Sequence, residues 1–294
     1  MKVRIGIGTG GALPAEELAA VVDAIDELGL DSLWLSEVLT APVPDPLVAL
    51  AFAAAHNPRV KLGTTMLLPG RNPVRLAKEC ATLDALSKGR LLITFVPGLG
   101  RDPERAAIGL PTGRRNAAID EVLPLLRRLW SGETVSHHGE FADFDGVALS
   151  PLPHQQPLEA WLGGMVPAAL ERCGRLADGW LPSLCTPEEA AKGKAVIDDA
   201  AARAGRSISN EHFGISLGYA RQPLSDDAAM AIASRAHGHD PRELVPVGFS
   251  ELRRAIGRFV DVGFSKFVVR PLAPPADWRA ELEEVAAAVG DLQT

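Results

Sequence analysis

Residues 60–96 read VKLGTTMLLPGRNPVRLAKECATLDALSKGRLLITFV, and they contain one complete strand–helix–strand unit. The run 60–66 is short and mostly apolar, as is typical of a buried strand. Asn72 followed by proline is typical of a helix N-cap and first turn, and Gly89 is typical of the end of that helix. A second apolar run follows at 91–96. Strands that alternate with amphipathic helices indicate a parallel sheet.

The same alternation continues on both sides of this unit through the 294-residue chain. The predicted strands are 3–8, 31–36, 60–66, 91–96, 158–162, 179–182, 213–219 and 267–270. Helical patterns separate them, and Ser250 is predicted to cap the helix before the last strand. One barrel of this kind needs roughly 250 residues plus insertions. We therefore expect an α/β fold, a single (β/α)₈ TIM barrel domain over residues 1–294, with insertions after some strands.

Three stretches interrupt the alternation. Residues 131–157 are predicted to form a loop or a small hairpin between two units. The stretches 101–112 and 221–249 have no regular pattern, and loops of that length are often functional. Two interpretations stay open for them: a mobile lid over the active site, or a dimer contact.

Composition and charge argue against several classes of function. The formal net charge is −7 and there is no basic run, which argues against a nucleic-acid or membrane partner. Neither a signal peptide nor a run of about 18 apolar residues is found, so we expect a cytoplasmic protein. The three cysteines have no CxxC spacing and are expected to be buried. The seven histidines include no group at a recognisable metal-ligand spacing, so no metal site is expected.

Two charged residues lie at the ends of predicted strands, on the side of a barrel where chemistry takes place. Glu37 comes after the second strand, and its carboxylate is a candidate general acid or base, or a hydrogen-bond partner of a substrate. Arg270 ends the last strand and is a candidate for binding an anionic cofactor tail or an anionic substrate. For both residues an ordinary salt bridge is the alternative.

Glycine-rich turns follow two other strands. Gly163, Gly164 and Met165 lie between a strand and a helix start, where free backbone N–H groups and the positive end of the helix suit a phosphate. The alternative is a plain tight turn. Gly98 and Gly100 belong to a second turn, in which the backbone would approach a ligand closely. A flexible turn is the alternative there.

Several short motifs occur in a fixed order along the chain: LWLSE at 33–37, LGT at 62–64, TLDALSKGR at 82–90, GLG at 98–100, WLGG at 161–164 and ADGW at 177–180. In order and spacing they resemble the luciferase-like monooxygenase superfamily, and more closely its F420-dependent oxidoreductase branch. The resemblance covers most of the chain. Several F420 enzymes have an acid followed by histidine at the position of Glu37, whereas here the next residue is Val38.

The resemblance implies a cofactor at the C-terminal end of the barrel, with F420 expected and FMN as the alternative. It implies a non-proline cis peptide bond at Thr65–Met66, behind the cofactor ring. It also implies that Gly163-Gly164-Met165 holds the phosphate of the ribityl chain. The glutamate tail of F420 would need a basic groove, for which Arg71, Arg75 and Arg101 are candidates.

Three functions are compatible with this resemblance. The first is an F420-dependent oxidoreductase that transfers a hydride between F420 and an unidentified small organic substrate. The second is an FMN-dependent two-component monooxygenase, which receives reduced flavin from a reductase and uses O₂. The third is a non-catalytic flavin-binding protein. The resemblance further implies a homodimer.

Overall fold

The computed structural model describes residues 1–10, 13–98 and 104–294. The strands are β1 Arg4–Gly8, β2 Ser32–Ser36, β3 Lys61–Leu67, β4 Leu91–Val96, β5 Val135–His138, β6 Asp143–Val147, β7 Ala160–Leu162, β8 Gly179–Trp180, β9 Gly214–Tyr219 and β10 Lys266–Pro271. The helices are α1 Leu18–Glu27, α2 Pro46–His56, α3 Pro73–Ser87, α4 Glu104–Ala107, α5 Arg115–Trp130, α6 Pro167–Leu176, α7 Pro187–Arg203, α8 Asp226–Ala233, α9 Pro241–Leu244, α10 Phe249–Asp261 and α11 Trp278–Val289. β1–β4 and β7–β10 correspond to the strands predicted from the sequence.

These eight strands form one parallel sheet in the order β8-β7-β4-β3-β2-β1-β10-β9. Its two end strands also meet, because isolated parallel bridges join Trp180 to Phe213 and Ser183 to Ser216. The backbone N–H of Ser216 donates to the carbonyl of Pro182 at 2.8 Å. The sheet therefore returns on itself, and the predicted (β/α)₈ barrel is confirmed.

Two indole rings fill the middle of the barrel. Trp34 on β2 and Trp161 on β7 are both buried, in one interior cluster. Glycine on a neighbouring strand makes room for the first ring, because a Cβ at Gly63 would lie 2.2 Å from Trp34 Cδ2. At the N-terminal end of the barrel, Asp31 accepts a hydrogen bond from Lys61 Nζ at 2.8 Å. Space for a ligand is thus left at the C-terminal end of the strands.

The helices cover the outside of the barrel, and their ends follow local sequence signals. Asn72 caps α3, with its side chain accepting from the backbone N–H of Arg75 at 3.0 Å. Lys88 and Gly89 both have positive φ, which ends α3 where the sequence predicted. Among the described residues, no helix is both long and apolar enough to cross a membrane.

The predicted interruption at 131–157 contains a hairpin of β5 and β6. Glu121 on α5 holds this hairpin. Its Oε1 bonds His137 Nε2 at 3.0 Å and also accepts from the backbone N–H of Phe141 at 2.9 Å. The hairpin therefore packs against the side of the barrel.

The stretch 221–249 is more regular than predicted, because it contains the short helices α8 and α9. The prediction of Ser250 as a helix cap is wrong. Gly248 is the N-cap of α10, and its φ of 77° lets the chain enter the helix before Ser250 is reached. Ser250 lies within the first turn of α10.

All three cysteines are buried and free of disulfides, which confirms the prediction for them. Burial raises the pKa of Cys80 and Cys185 to about 12 and raises the pKa of Cys173 as well. These thiols are therefore packing groups with very little thiolate at neutral pH.

Candidate active site at the mouth of the barrel

A ring of partly exposed residues lines the inside of the barrel at the C-terminal ends of its strands. By alternation along each strand they face the interior, like Trp34 and Trp161 below them. The residue before each of them in the chain is buried. We call these the mouth residues: Ser36, Thr65, Val96, Gly163, Ser183, Ser216 and Arg270. The mouth is an opening lined mainly by small and hydroxyl-bearing groups.

Glycine on the strands either side of β10 widens the mouth next to Arg270. In the strand register Gly218 on β9 lies opposite Arg270, and Gly8 ends β1 on the other side. A Cβ at Gly8 would lie 3.1 Å from the Cβ of Arg270, and a Cβ at Gly218 would lie 2.8 Å from Leu272 Cδ2. Side chains at these two positions would narrow the space in front of the guanidinium.

Arg270 points into the mouth, as predicted for a residue at the end of the last strand. Within the described part of the chain its guanidinium has no carboxylate or carbonyl acceptor. Burial lowers the pKa of Arg270 to about 10, and the positive charge of Arg235 adds to this shift. Two cationic side chains therefore share one side of the mouth.

Glu37 is held in the wall of the barrel. Its Oε2 accepts from the backbone N–H of Leu67 at 2.7 Å, and its Oε1 accepts from Arg71 Nη2 at 2.5 Å. Arg71 Nε also donates to the carbonyl of Leu67 at 3.1 Å. The Glu37 side chain is only 5% exposed. Both carboxylate oxygens are engaged with the protein, so the geometry favours a role in positioning the end of β3.

The cis peptide bond expected at Thr65–Met66 is wrong. Among the described residues, the cis bonds are Ser150–Pro151 and Gln156–Pro157. The pairing of β3 with β4 continues without a break as far as Leu67, so β3 has no bulge at this point. Thr65 faces the mouth, whereas Met66 is fully buried on the outer face against the helices. Of the two, Thr65 is the residue whose side chain is placed for a ligand.

The turn after β7 has the form of an anion site. Gly164 is exposed and has a φ of 104°. The N-cap of α6, Val166, makes no side-chain capping bond. Trp180 Nε1 donates to the carbonyl of Gly164 at 2.9 Å. The N–H of Met165 belongs to the same trans peptide and therefore points away from that indole. Within the described chain the backbone N–H groups of Gly164, Met165 and Val166 have no acceptor.

A groove of about 360 Å³ leads away from this turn between α6 and α7. Met165 and Val166 form one end of it, and Lys192 and Glu189 on α7 form its side. The ammonium of Lys192 is exposed and forms no ion pair with the described residues. Sequence reasoning missed Lys192. The available signal was its place in the second turn of a helix that starts at the mouth.

Part of the stretch 221–249 lies beside the start of α7, at the C-terminal end of the barrel. His239 Nε2 and Glu189 Oε1 on α7 are 2.8 Å apart, and this bond raises the pKa of His239. His237 lines the groove, and Arg235 is close enough to shift the pKa of Arg270. These contacts favour the lid interpretation of the stretch over the dimer-contact interpretation.

Gly98 has a φ of 85°, and a Cβ there would lie 2.8 Å from Leu67 Cδ2. The close approach predicted for this turn is therefore an approach to neighbouring side chains. Gly100 and Arg101 lie outside the described residues. Of the two described candidates for binding an F420 tail, Arg71 is engaged with Glu37 and Arg75 is exposed.

The match to a family model gives the class of the protein. A model of the luciferase-like monooxygenase family matches residues 1–258. The chain belongs to this family, as its motifs predicted. It is 26% identical to an F420-dependent glucose-6-phosphate dehydrogenase of Kineococcus radiotolerans, over 93% of this chain and 91% of that protein. It is 31% identical to a putative coenzyme F420-dependent oxidoreductase of Mycobacterium tuberculosis, over 79% of this chain and 70% of that protein.

Solved structures agree with the fold. An F420-dependent secondary alcohol dehydrogenase in complex with an F420–acetone adduct superposes with a TM-score of 0.83, at 18% identity and full coverage of both chains. The FMN complex of a type II Baeyer–Villiger monooxygenase of Pseudomonas putida has a TM-score of 0.77, at 17% identity, covering 100% of this chain and 99% of that one. The prediction of a luciferase-like oxidoreductase is confirmed at the level of the family.

Proposed function

We propose that this chain is an F420-dependent oxidoreductase that transfers a hydride between F420 and a small organic substrate. The observation that carries the proposal is the turn after β7. Its unpaired N–H groups at the start of α6 open onto a glycine-widened mouth. Family membership and the F420-dependent relatives support the choice of cofactor.

The residues present fit such a cofactor. Gly164, Met165 and Val166 would hold its phosphate, because backbone N–H groups at a helix N-terminus favour an anion. The N–H of Gly163, the other residue predicted for this turn, already donates to the carbonyl of Phe95 at 3.3 Å. Lys192 would add a positive charge in the groove where the tail leaves. Thr65 and the other mouth residues would surround the ring. When bound, F420 supplies the hydride donor or acceptor at its central ring.

The protein's own part in the reaction is to bind and to orient. The mouth has hydroxyl groups that would fix the ring by hydrogen bonds, and Glu37 keeps the end of β3 in register with β2. The stretch 221–249 would cover the bound reactants and exclude water from them.

An FMN-dependent monooxygenase is the second candidate, because FMN occupies the same fold in the Baeyer–Villiger neighbour. A flavin reductase would then be the partner. Tight cofactor binding without turnover of any donor or acceptor would instead point to a non-catalytic flavin-binding protein. A homodimer, a cytoplasmic location and a single domain over residues 1–294 stay predictions from the sequence.

The test is titration of the purified protein with F420 and, separately, with FMN, followed by cofactor fluorescence. We expect F420 to bind at least tenfold more tightly than FMN. The reverse order would assign the chain to the monooxygenases. No binding of either at about 100 μM would refute the cofactor site.

The phosphate turn has a matched control. Gly164 and Gly205 both have positive φ, of 104° and 68°, so alanine strains the backbone at either position. At Gly164 the added Cβ would also lie 3.0 Å from the Cβ of Ala169. Gly205 follows α7 in open space, away from the mouth. Gly164→Ala should weaken F420 binding about tenfold, the equivalent of about 1.4 kcal/mol, and Gly205→Ala should leave it unchanged. Equal effects of the two substitutions would show that the turn does not hold the phosphate.

A further inference from the structure

Arg270 is a partly buried cation that faces the mouth, and none of the described residues accepts a hydrogen bond from its guanidinium. Its guanidinium carries five N–H donors and cannot lose its charge at neutral pH. Burying such a group lowers stability unless something accepts its hydrogen bonds. The protein lowers its pKa to about 10 by burial and yet supplies no carboxylate for it within the described residues. A ligand that enters the mouth would therefore find the donors of Arg270 available.

The site proposed for the cofactor phosphate lies on a different wall of the mouth from Arg270. The phosphate turn follows β7, and Arg270 lies on β10. In the closed ring of eight strands β7 and β10 are three strands apart, which puts the two sites on nearly opposite walls of the mouth. The tail of the cofactor would leave by the groove between α6 and α7, and that groove leads away from Arg270.

The charges around Arg270 favour a negatively charged ligand. Arg235, in the stretch over the mouth, adds a second positive charge. The described mouth residues include no acid. Glu37, the acid next to them, has both oxygens engaged by Leu67 and Arg71. The flanking glycines Gly8 and Gly218 leave space in front of the guanidinium for the ligand.

We propose that the substrate of this site carries an oxyanion, a carboxylate or a phosphate ester, and that Arg270 binds it. The planar fork of a guanidinium matches the oxygens of both groups. This inference rests on the proposed function, and it names the class of substrate: hydroxy or oxo acids, or phosphorylated alcohols, in preference to neutral alcohols and ketones.

The direct test is calorimetric titration of the F420-loaded protein with inorganic phosphate and with propionate. We expect both anions to bind with dissociation constants in the millimolar range. Arg270→Met should weaken their affinity at least tenfold, and Arg270→Lys should weaken it less. The matched control is Arg203→Met, on the exposed far end of α7. It should bind both anions as the unaltered protein does. If Arg270→Met loses more affinity for phosphate than for propionate, the substrate group is a phosphate ester. The reverse order indicates a carboxylate.

Two results would overturn the proposal. One is unchanged anion binding in folded Arg270→Met, with folding checked by circular dichroism. The other is a tenfold loss of F420 affinity in Arg270→Met, which would assign the arginine to the cofactor. If neither F420 nor FMN binds the unaltered protein, the proposed function fails. The anion titration of the cofactor-free protein then still decides whether Arg270 forms an anion site.

Turnover gives an independent readout. With a series of neutral and anionic substrates of the same carbon skeleton, the anionic member should have a kcat/KM at least tenfold higher. Arg270→Met should remove that preference mainly through KM. Equal turnover of both members by the unaltered enzyme would contradict the proposed substrate class.

Discussion

Replacing Glu37 by glutamine separates a positioning role from acid–base catalysis. The glutamine side chain keeps the shape of the glutamate and one acceptor oxygen, so the bond from the N–H of Leu67 is able to survive. Its NH₂ group cannot accept from Arg71, so the ion pair at 2.5 Å is lost. The pair is well shielded, with side-chain exposures of 24% for Arg71 and 5% for Glu37.

The expected cost follows from that shielding. A hydrogen bond to a charged group contributes about 1.5–3 kcal/mol, and Arg71 keeps some access to water, so we expect a loss of about 2 kcal/mol. At about 2 °C per kcal/mol for a chain of this size, the melting temperature should fall by roughly 4 °C. Glu79→Gln is the control, because Glu79 lies 3.9 Å from Arg71 and is 50% exposed. Its cost should stay below about 0.5 kcal/mol.

Activity gives the second half of the experiment. If Glu37 positions the end of β3, the variant should lose part of kcat while its pH–rate profile keeps the shape of the unaltered enzyme. Loss of a general acid or base would instead cost about 10²–10⁴-fold and remove one limb of the profile. A variant that is fully stable, almost inactive and lacks that limb would refute the positioning role.

Three further predictions concern the barrel, the segment over its mouth and the thiols. Gly63→Ala should overpack the barrel interior, because its Cβ would lie 2.2 Å from an indole ring. In urea titration its free energy of unfolding should fall by about 2 kcal/mol or more. Gly257→Ala, in open space on α10, should raise the free energy of unfolding by about 0.5–1 kcal/mol. Equal effects of Gly63→Ala and Gly257→Ala would contradict the packing of the barrel interior. His239 has its pKa raised by Glu189, so the contribution of this pair is complete at low pH and is lost as the pH rises through the folded pKa. Hydrogen exchange in residues 234–239 should therefore be faster at pH 8.5 than at pH 6 after correction for the intrinsic rate, and His239→Gln should abolish the difference. A thiol reagent should modify the three cysteines at pH 7 only on unfolding, and rapid labelling of the native protein would argue against their burial.

The strands and most of the helices were predictable because their signals are local. The alternation in 60–96 carries the strand–helix–strand unit, and Asn72 marks a helix start by its own side chain. The position of Arg270 was also predictable in this way, because the end of a parallel strand must lie at the mouth. In contrast, Ser250 was misassigned because Gly248 adopts a positive φ that only glycine accepts easily.

The parts of the site that were not predicted depend on contacts between residues far apart in the sequence. The partner of Glu37 is 34 residues away, and no local pattern marks Arg71 as the residue that reaches it. Lys192 belongs to the groove only because α7 packs against α6. The cis bond at Thr65–Met66 was expected from the resemblance alone, without support from the residues themselves, and the regular pairing of β3 with β4 does not contain it.

The two indoles packed in the middle of the barrel also affect the order of events during turnover. Trp34 and Trp161 fill the interior of the barrel. Cofactor and substrate would therefore both enter through the mouth at the C-terminal ends of the strands. The proposed cofactor is larger than the substrate and would bind at the wall formed by β7, so it would enter before the substrate and leave after the product. Steady-state kinetics should therefore be sequential and ordered, with excess substrate slowing the exchange of cofactor.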